Sequence, residues 1–201
     1  MSSRKRLDRV SPQGVGSMKR WLAPTASASL LCIGAIAHAA GGYPRTLVAQ
    51  ALVKKGETSV TSTVTIKIDR LMEPSRRTRV LDGLKYNGYQ GFMNALRPLP
   101  AIGTIATQNR EVKVQYAWET KADDRTRLVI AASKPLFFLT ADETKTRAGY
   151  ELTVVDLLLD AAGGGTGTMS GAARVKPAAD GIVLDDFAAA PVQLTIAAPA
   201  K

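Results

Sequence analysis

The stretch SVTSTVTIKID, residues 59–69, alternates apolar and polar side chains. Val60, Val64, Ile66 and Ile68 point one way; Thr61, Thr63, Thr65 and Lys67 point the other. β-Branched residues at a period of two predict a half-buried strand. The period then changes. Pro74 suits a first helical turn, where its missing N–H leaves nothing unpaired. Val80, Leu81 and Leu84 follow at helical spacing, Asn87-Gly88 breaks it, and Phe92, Met93 and Leu96 resume it until Pro98 and Pro100. A broken helix or helix pair over residues 75–97 is expected, lying against a sheet.

The remainder reads as strand. Residues 102–107 form a short one. Residues 111–120 alternate, with Val112, Val114, Tyr116 and Trp118 expected on one face. Asp123-Asp124 is a turn candidate, and residues 125–132 would return as the partner strand. Pro135 interrupts, residues 136–139 are a brief apolar run and residues 141–148 are polar. A long strand is expected over 150–160, a weaker one over 166–175, and two more over 182–187 and 192–196. About eight strands joined by hairpin turns predict an α+β fold that is mainly β. The expected architecture is an antiparallel meander curved into a half-barrel or barrel, with a helical insertion after the first strand. Residues 58–198 would be a single β-rich domain, preceded by an extended segment over 40–57.

The N-terminal region reads differently. Met18-Lys19-Arg20 is a basic start, residues 30–37 are apolar, and Ala37-His38-Ala39 has the small–any–small pattern of a signal-peptidase site. Residues 18–39 are therefore expected to be a signal peptide cleaved after Ala39. The run 22–40 approaches the length of a membrane anchor, but Pro24, Thr25, Ser27 and Ser29 dilute it. No transmembrane helix is expected to remain after cleavage. Residues 1–17, polar and basic, are an extended leader or reflect a translation start placed too far upstream. Cleavage would remove Cys32 and His38, the sole cysteine and the sole histidine. The expected destination is the periplasm or the medium.

Cleavage also changes the charge. Six of the 27 lysines and arginines and one of the 17 acids lie before residue 40, which leaves 21 against 16 and a balance of +5. That speaks against nucleic acid as a partner. The basic residues Arg76, Arg77, Arg79 and Lys85 crowd one segment and are the candidate face for an anionic partner or lipid surface, although a solvated helix face is the better explanation.

The order Ile68-Asp69-Arg70, a Leu-rich helical pair, Leu99-Pro100 with Gly103, Tyr116-Ala117-Trp118 and Ser133-Lys134-Pro135 resembles a family of small secreted bacterial proteins of uncharacterised activity. The resemblance covers residues 58–196, with Ser133-Lys134 as a departure where that family more often has Asp-Arg before the proline. It implies a secreted β-rich domain and transfers no functional residue.

Candidate chemistry is sparse. Residues 163–167, GGGTG, lack the lysine and the following helix of a phosphate loop and suit a hairpin turn. Asp123-Asp124 and Asp185-Asp186 are adjacent pairs, and neighbours on a strand face opposite ways. Ser133-Lys134 diverges likewise before Pro135. No cofactor, metal site or catalytic residue is expected. Tyr116, Trp118, Phe137 and Phe138 are candidates to line a pocket if the sheet curves around one; a place in the core is the better explanation. The leading expectation is a non-enzymatic envelope domain that binds an apolar or amphipathic small molecule or a partner protein. The alternatives are a glycoside-active hydrolase that uses carboxylates such as Asp69, Glu111 or Glu119 across a cleft, and a purely structural envelope component.

Overall fold

The computed structural model describes residues 42–55, 58–137, 148–188 and 190–198, with backbone alone at 53–55 and 58. His38, Cys32 and the leader lie outside the described residues. The elements are β1 (Arg45–Lys55), β2 (Thr58–Ile68), α1 (Pro74–Leu96), β3 (Gly103–Ala106), β4 (Glu111–Val114), β5 (Tyr116–Ala122), β6 (Arg125–Ala132), β7 (Leu152–Leu159), β8 (Gly165–Ala178), β9 (Gly181–Phe187) and β10 (Val192–Ile196). All pairings are antiparallel, in the order β4-β3-β2-β1-β10-β8-β7-β6-β5, with β9 paired to β8. The fold is α+β and mainly β, a sheet curved into a nearly closed barrel with one helical insertion.

The alternating stretch is β2, not the first strand. Residues 45–55, expected as an extended segment, form β1 and sit mid-sheet between β2 and β10. The pattern is faint because the inward positions Ala49 and Ala51 are small while the outward Val48 and Leu52 are apolar, 52% and 41% exposed. Beyond Lys55 the chain returns in full register, from Arg45 opposite Ile68 to Lys55 opposite Thr58.

Residues 111–122 join the two ends of the sheet. β4 pairs with β3 and β5 with β6, and Gln115 lies between, its N–H donating to Ala131 O at 3.1 Å. Its side-chain Oε1 accepts from Ser133 N at 3.0 Å. The register shows that the faces exchange here. Val112 lies in the row of Ile105 and Ile66, and Val114 in that of Gly103 and Ile68, both on the barrel interior. Across β5–β10 the interior row is instead Ala117, Ile130, Val155, Met169 and Val192. Tyr116 and Trp118 therefore point outward, in rows with Ala131 and Val154 and with Val129 and Asp156. Val112, Val114, Tyr116 and Trp118 do not share a face, because the irregularity at Gln115 shifts the phase by one residue.

Outward does not mean exposed on this half of the barrel. β4 and β10 alternate buried with exposed, whereas β6 and β7 are buried nearly throughout on both faces. Alternation is the mark of one wet face, and a continuous apolar run the mark of two covered ones. The cover is α1, which packs on β8 and buries Val80, Leu84, Phe92, Met93 and Leu96 into the same cluster as the sheet. Each such side chain contributes about 1.5–3 kcal/mol when fully buried.

The helix is two arms. Gly88 breaks it with φ 63° and ψ −159°, a conformation open to glycine and strained for most other residues. The arms fold back so tightly that a Cβ at Gly83 would lie 2.8 Å from Gly91 O, and one at Gly91 would strike Gly83 O. The break that Asn87-Gly88 predicts is thus a hinge closed by glycine against glycine. Substituting Gly91→Ala is expected to destabilise the fold by about 1–3 kcal/mol through overpacking against backbone, read as a lower urea midpoint at an unchanged slope.

Candidate functional site

On the outer face of β5–β7, a lone carboxylate interrupts the apolar run of β7, Val154-Val155-Asp156-Leu157-Leu158. A charge in such a strand needs a cation beside it. β6 supplies Arg127, whose Nε and Nη2 donate to Asp156 Oδ1 and Oδ2 at 2.9 and 2.7 Å. Its Nη1 donates to Asp180 Oδ2 at 2.8 Å, in the turn between β8 and β9. From α1, Arg77 Nη2 donates to the carbonyl of Asp180 at 2.7 Å, and its guanidinium lies 4.3 Å from the centre of the Trp118 ring. The two arginines clasp one turn from two directions. The hydrogen bonds to Asp156 raise the Arg127 pKa above its already high ordinary value, so this cation is permanent. Burial pushes the neighbouring Tyr116 phenol up, against the opposing pull of Arg77.

A second polar cluster lies where the second arm of α1 meets β8. The Arg174 guanidinium stands 5.3 Å from the centre of the Tyr89 ring and 5.9 Å from that of Tyr150. Tyr89 Oη donates to Glu151 Oε2 at 3.2 Å, and Gly149 N donates to Glu151 Oε1 at 3.1 Å. Tyr150 Oη donates to Asp186. Burial raises Tyr89 well above the usual phenol range, with Glu151 adding to it. For Glu151, burial pushes upward but is outweighed by the backbone N–H groups of Gly149 and Glu151 itself, by Tyr89 and by Arg97, so the carboxyl is held below its ordinary value. At the barrel rim Glu119 accepts from Tyr43 Oη at 2.7 Å and faces Arg45 Nη1 at 3.8 Å. Those two contacts link the start of β1 to β5, its distant neighbour in strand order.

The candidate pocket residues separate. Tyr116 is fully buried, its hydroxyl near Gly181 and Arg77; Trp118 is half-buried beneath Arg77. Phe137 lies beside Gly171 of β8, three strands from β5, and Phe138 falls outside the described residues. The candidate basic face also divides. Arg76 pairs with Glu73 at 3.1 Å, Arg79 and Lys85 are exposed, and Arg77 turns inward to the clasp. Sequence reasoning missed Arg127, Asp156 and Arg174. The signal available was Asp156, a single acid inside an apolar strand.

The adjacent acids diverge. Asp123 takes φ 56° in the β5–β6 turn, Asp185 reaches Lys176 at 3.5 Å, and Asp186 turns to Tyr150 and to Phe187 N. The glycine stretch is the β7–β8 turn, with Gly163 at φ 88° and Gly164 N bonded to Asp160 Oδ1 at 3.0 Å. Among the described residues no group of three or more His, Cys, Asp or Glu could hold a metal ion, and no helix is long and apolar enough to cross a membrane. Asp69 and Glu111 stand at opposite ends of β3, one bonded to Ile102 and the other paired with Ala106, about 13 Å apart along the strand.

A groove of about 540 Å³ opens along the start of β1, lined by residues of both faces of that strand, Arg45 and Leu47 from the inner row and Thr46 and Val48 from the outer, with Ile196 and Ala197 beside them. It follows β1 beyond the end of its partner, since β10 pairs with Ala49 to Leu52 only. Comparison with protein-family models, with curated proteins and with solved structures finds no match to this chain.

Two outcomes are expected for the polar clusters. A double-mutant cycle of Arg127→Gln and Asp156→Asn should give a coupling of about 1–2 kcal/mol, moderated by the 35% exposure of Asp156. Glu151 has a folded pKa below the unfolded one, so its contribution is present above the ordinary carboxylate range and is lost as pH falls through the folded value. The melting-temperature gap between the native chain and Glu151→Gln should therefore shrink between pH 6 and pH 3.

Proposed function

We propose that this chain is exported, is cleaved after Ala39, and works in the cell envelope as a non-enzymatic domain that binds a partner protein. The leader pattern of residues 18–39 supports export, as does the resemblance carried by residues 58–196. The observation that carries the binding reading is where open space lies. The inner rows of the barrel are filled by buried side chains of one continuous cluster, while the groove runs along the edge of β1, beyond the end of β10. A filled interior favours a partner protein over a small apolar guest. The carboxylates that a glycoside-active enzyme would need support that alternative poorly: Asp69 and Glu111 are exposed and separated by β3, and Glu119 is held by Tyr43 and Arg45.

Native mass spectrometry of the chain recovered after export tests this reading. The expected result is an N-terminal peptide that starts at Ala40, together with a complex containing a second, different polypeptide. An N-terminal peptide containing His38, or glycoside turnover that disappears in Glu119→Gln, would overturn it.

A further inference from the structure

The groove beside β1 has a backbone wall. β2 pairs with β1 along its whole length, from Arg45 to Lys55. On the opposite edge β10 pairs with Ala49, Gln50, Ala51 and Leu52 and then ends, Ile196 being its last residue. Ala198 lies against Gly164 in the β7–β8 turn, where a Cβ on that glycine would stand 3.0 Å from Ala198 N. Among the described residues nothing pairs with the edge of β1 from Arg45 to Val48, and that edge borders the groove. Four strand residues present about 13 Å of donors and acceptors. An unpaired edge is a template for another strand.

We propose that this edge is a docking site for an extended peptide segment of a partner protein, a segment that carries a carboxylate and pairs with β1 in line with β10. The inference rests on the binding function proposed above and names its ligand class. Strand addition takes affinity from main-chain hydrogen bonds and specificity from contacts to alternate side chains. The groove, at about 540 Å³, is within the range of ligand sites. Among the described residues that line it, Arg45 is the one that carries a charge. Arg45 lies on the inner row of β1 at the barrel rim, where its Nη1 stands 3.8 Å from Glu119, beyond hydrogen-bond length, so the guanidinium fork has donors to offer a second carboxylate there. Val48, 52% exposed on the outer face, gives the peptide an apolar contact farther along the strand. A second copy is a poorer fit: the cleaved chain carries a balance of +5 and so offers no surplus of carboxylates to meet Arg45.

The probe is a displayed library of random heptapeptides, selected against the full exported chain. Selected peptides should carry Asp or Glu at a fixed position and slow amide exchange within residues 45–48. Arg45→Gln should weaken a selected peptide about tenfold or more. Amidating the peptide's acid should do the same, and the two changes together should add little. Ala197→Trp, an exposed position that fills the groove without touching the core, should abolish binding even if Arg45→Gln perturbs folding. If the library yields no binder, or binders that leave residues 45–48 unprotected, this inference falls. The broader binding reading survives that result if native mass spectrometry still finds a partner, and falls with it if none is found. Protection of residues 45–48 without peptide, rising with protein concentration, would place a second copy there and also overturn the proposal.

Discussion

Strands β6 and β7 are apolar on both faces, and a barrel can cover only one of them. Leu128, Ile130, Val155 and Leu157 fill the interior, but Ala131, Leu152 and Val154 look outward and are equally buried. An open sheet would leave that outer surface in water, at about 25 cal/mol for each Å² of apolar area. The helical insertion closes it. Its place in the chain follows, because Met72 N bonds to Ala117 O and so brings the entry of α1 to the edge of β5. The hinge at Gly88 then folds the second arm back, so that a 23-residue helical segment covers a patch rather than crossing it as a rod.

An apolar cover alone would slide. Polar contacts fix its position, and they do so at modest net gain, since pairing charges away from water recovers what desolvation takes. Asp156 would be costly if it were unpaired. Bound in two places by Arg127, which also holds Asp180, it joins β6, β7 and the β8–β9 turn. Arg77 ties the helix to that same turn and lies over the Trp118 ring. At the other end Arg174 sits by Tyr89 of the helix and Tyr150 of the approach to β7. The charged residues nearest the covered face thus set registration between layers. In the sequence Arg77 is one basic residue among Arg76, Arg79 and Lys85, and no local pattern marks it as the one that turns inward.

Much of the fold was legible because half the barrel has a wet side. In β2, Val64, Ile66 and Ile68 alternate with Thr65 and Lys67, so the inner face is unambiguous and the register follows. β10 was legible to the residue for the same reason. The illegible parts fail for two distinct reasons. β1 hides because its inner side chains include alanines and its outer ones are apolar, so hydrophobicity does not track burial. At Gln115 the periodicity looks continuous, since Val114 and Tyr116 are both buried, but they belong to opposite faces. Once both faces are covered, sequence alternation carries no phase. The candidate site suffers more. An unpaired strand edge is a property of where a neighbour stops, and residues 45–48 carry no mark of where β10 ends.

The two halves of the barrel divide the work unequally. On one half, β6 and β7 are buried on both faces over most of their length, and Asp156, Arg127 and Asp180 are tied by short, directed bonds, which leaves little freedom to rearrange. On the β1–β2 half, one face is wet, and the outer edge of β2 meets β3 only from Thr65 to Ile68. Val48 and Leu52 stand exposed there, and the groove lies alongside. Edge strands in soluble proteins are commonly shortened, charged or covered; here residues 58–64 of β2, TSVTSTV, carry no charge at all. Covering one half so completely lets the other half keep open edges without the domain depending on them for stability. Contact surfaces need this separation of roles, because a strand edge that also held the core together could not be offered to a partner.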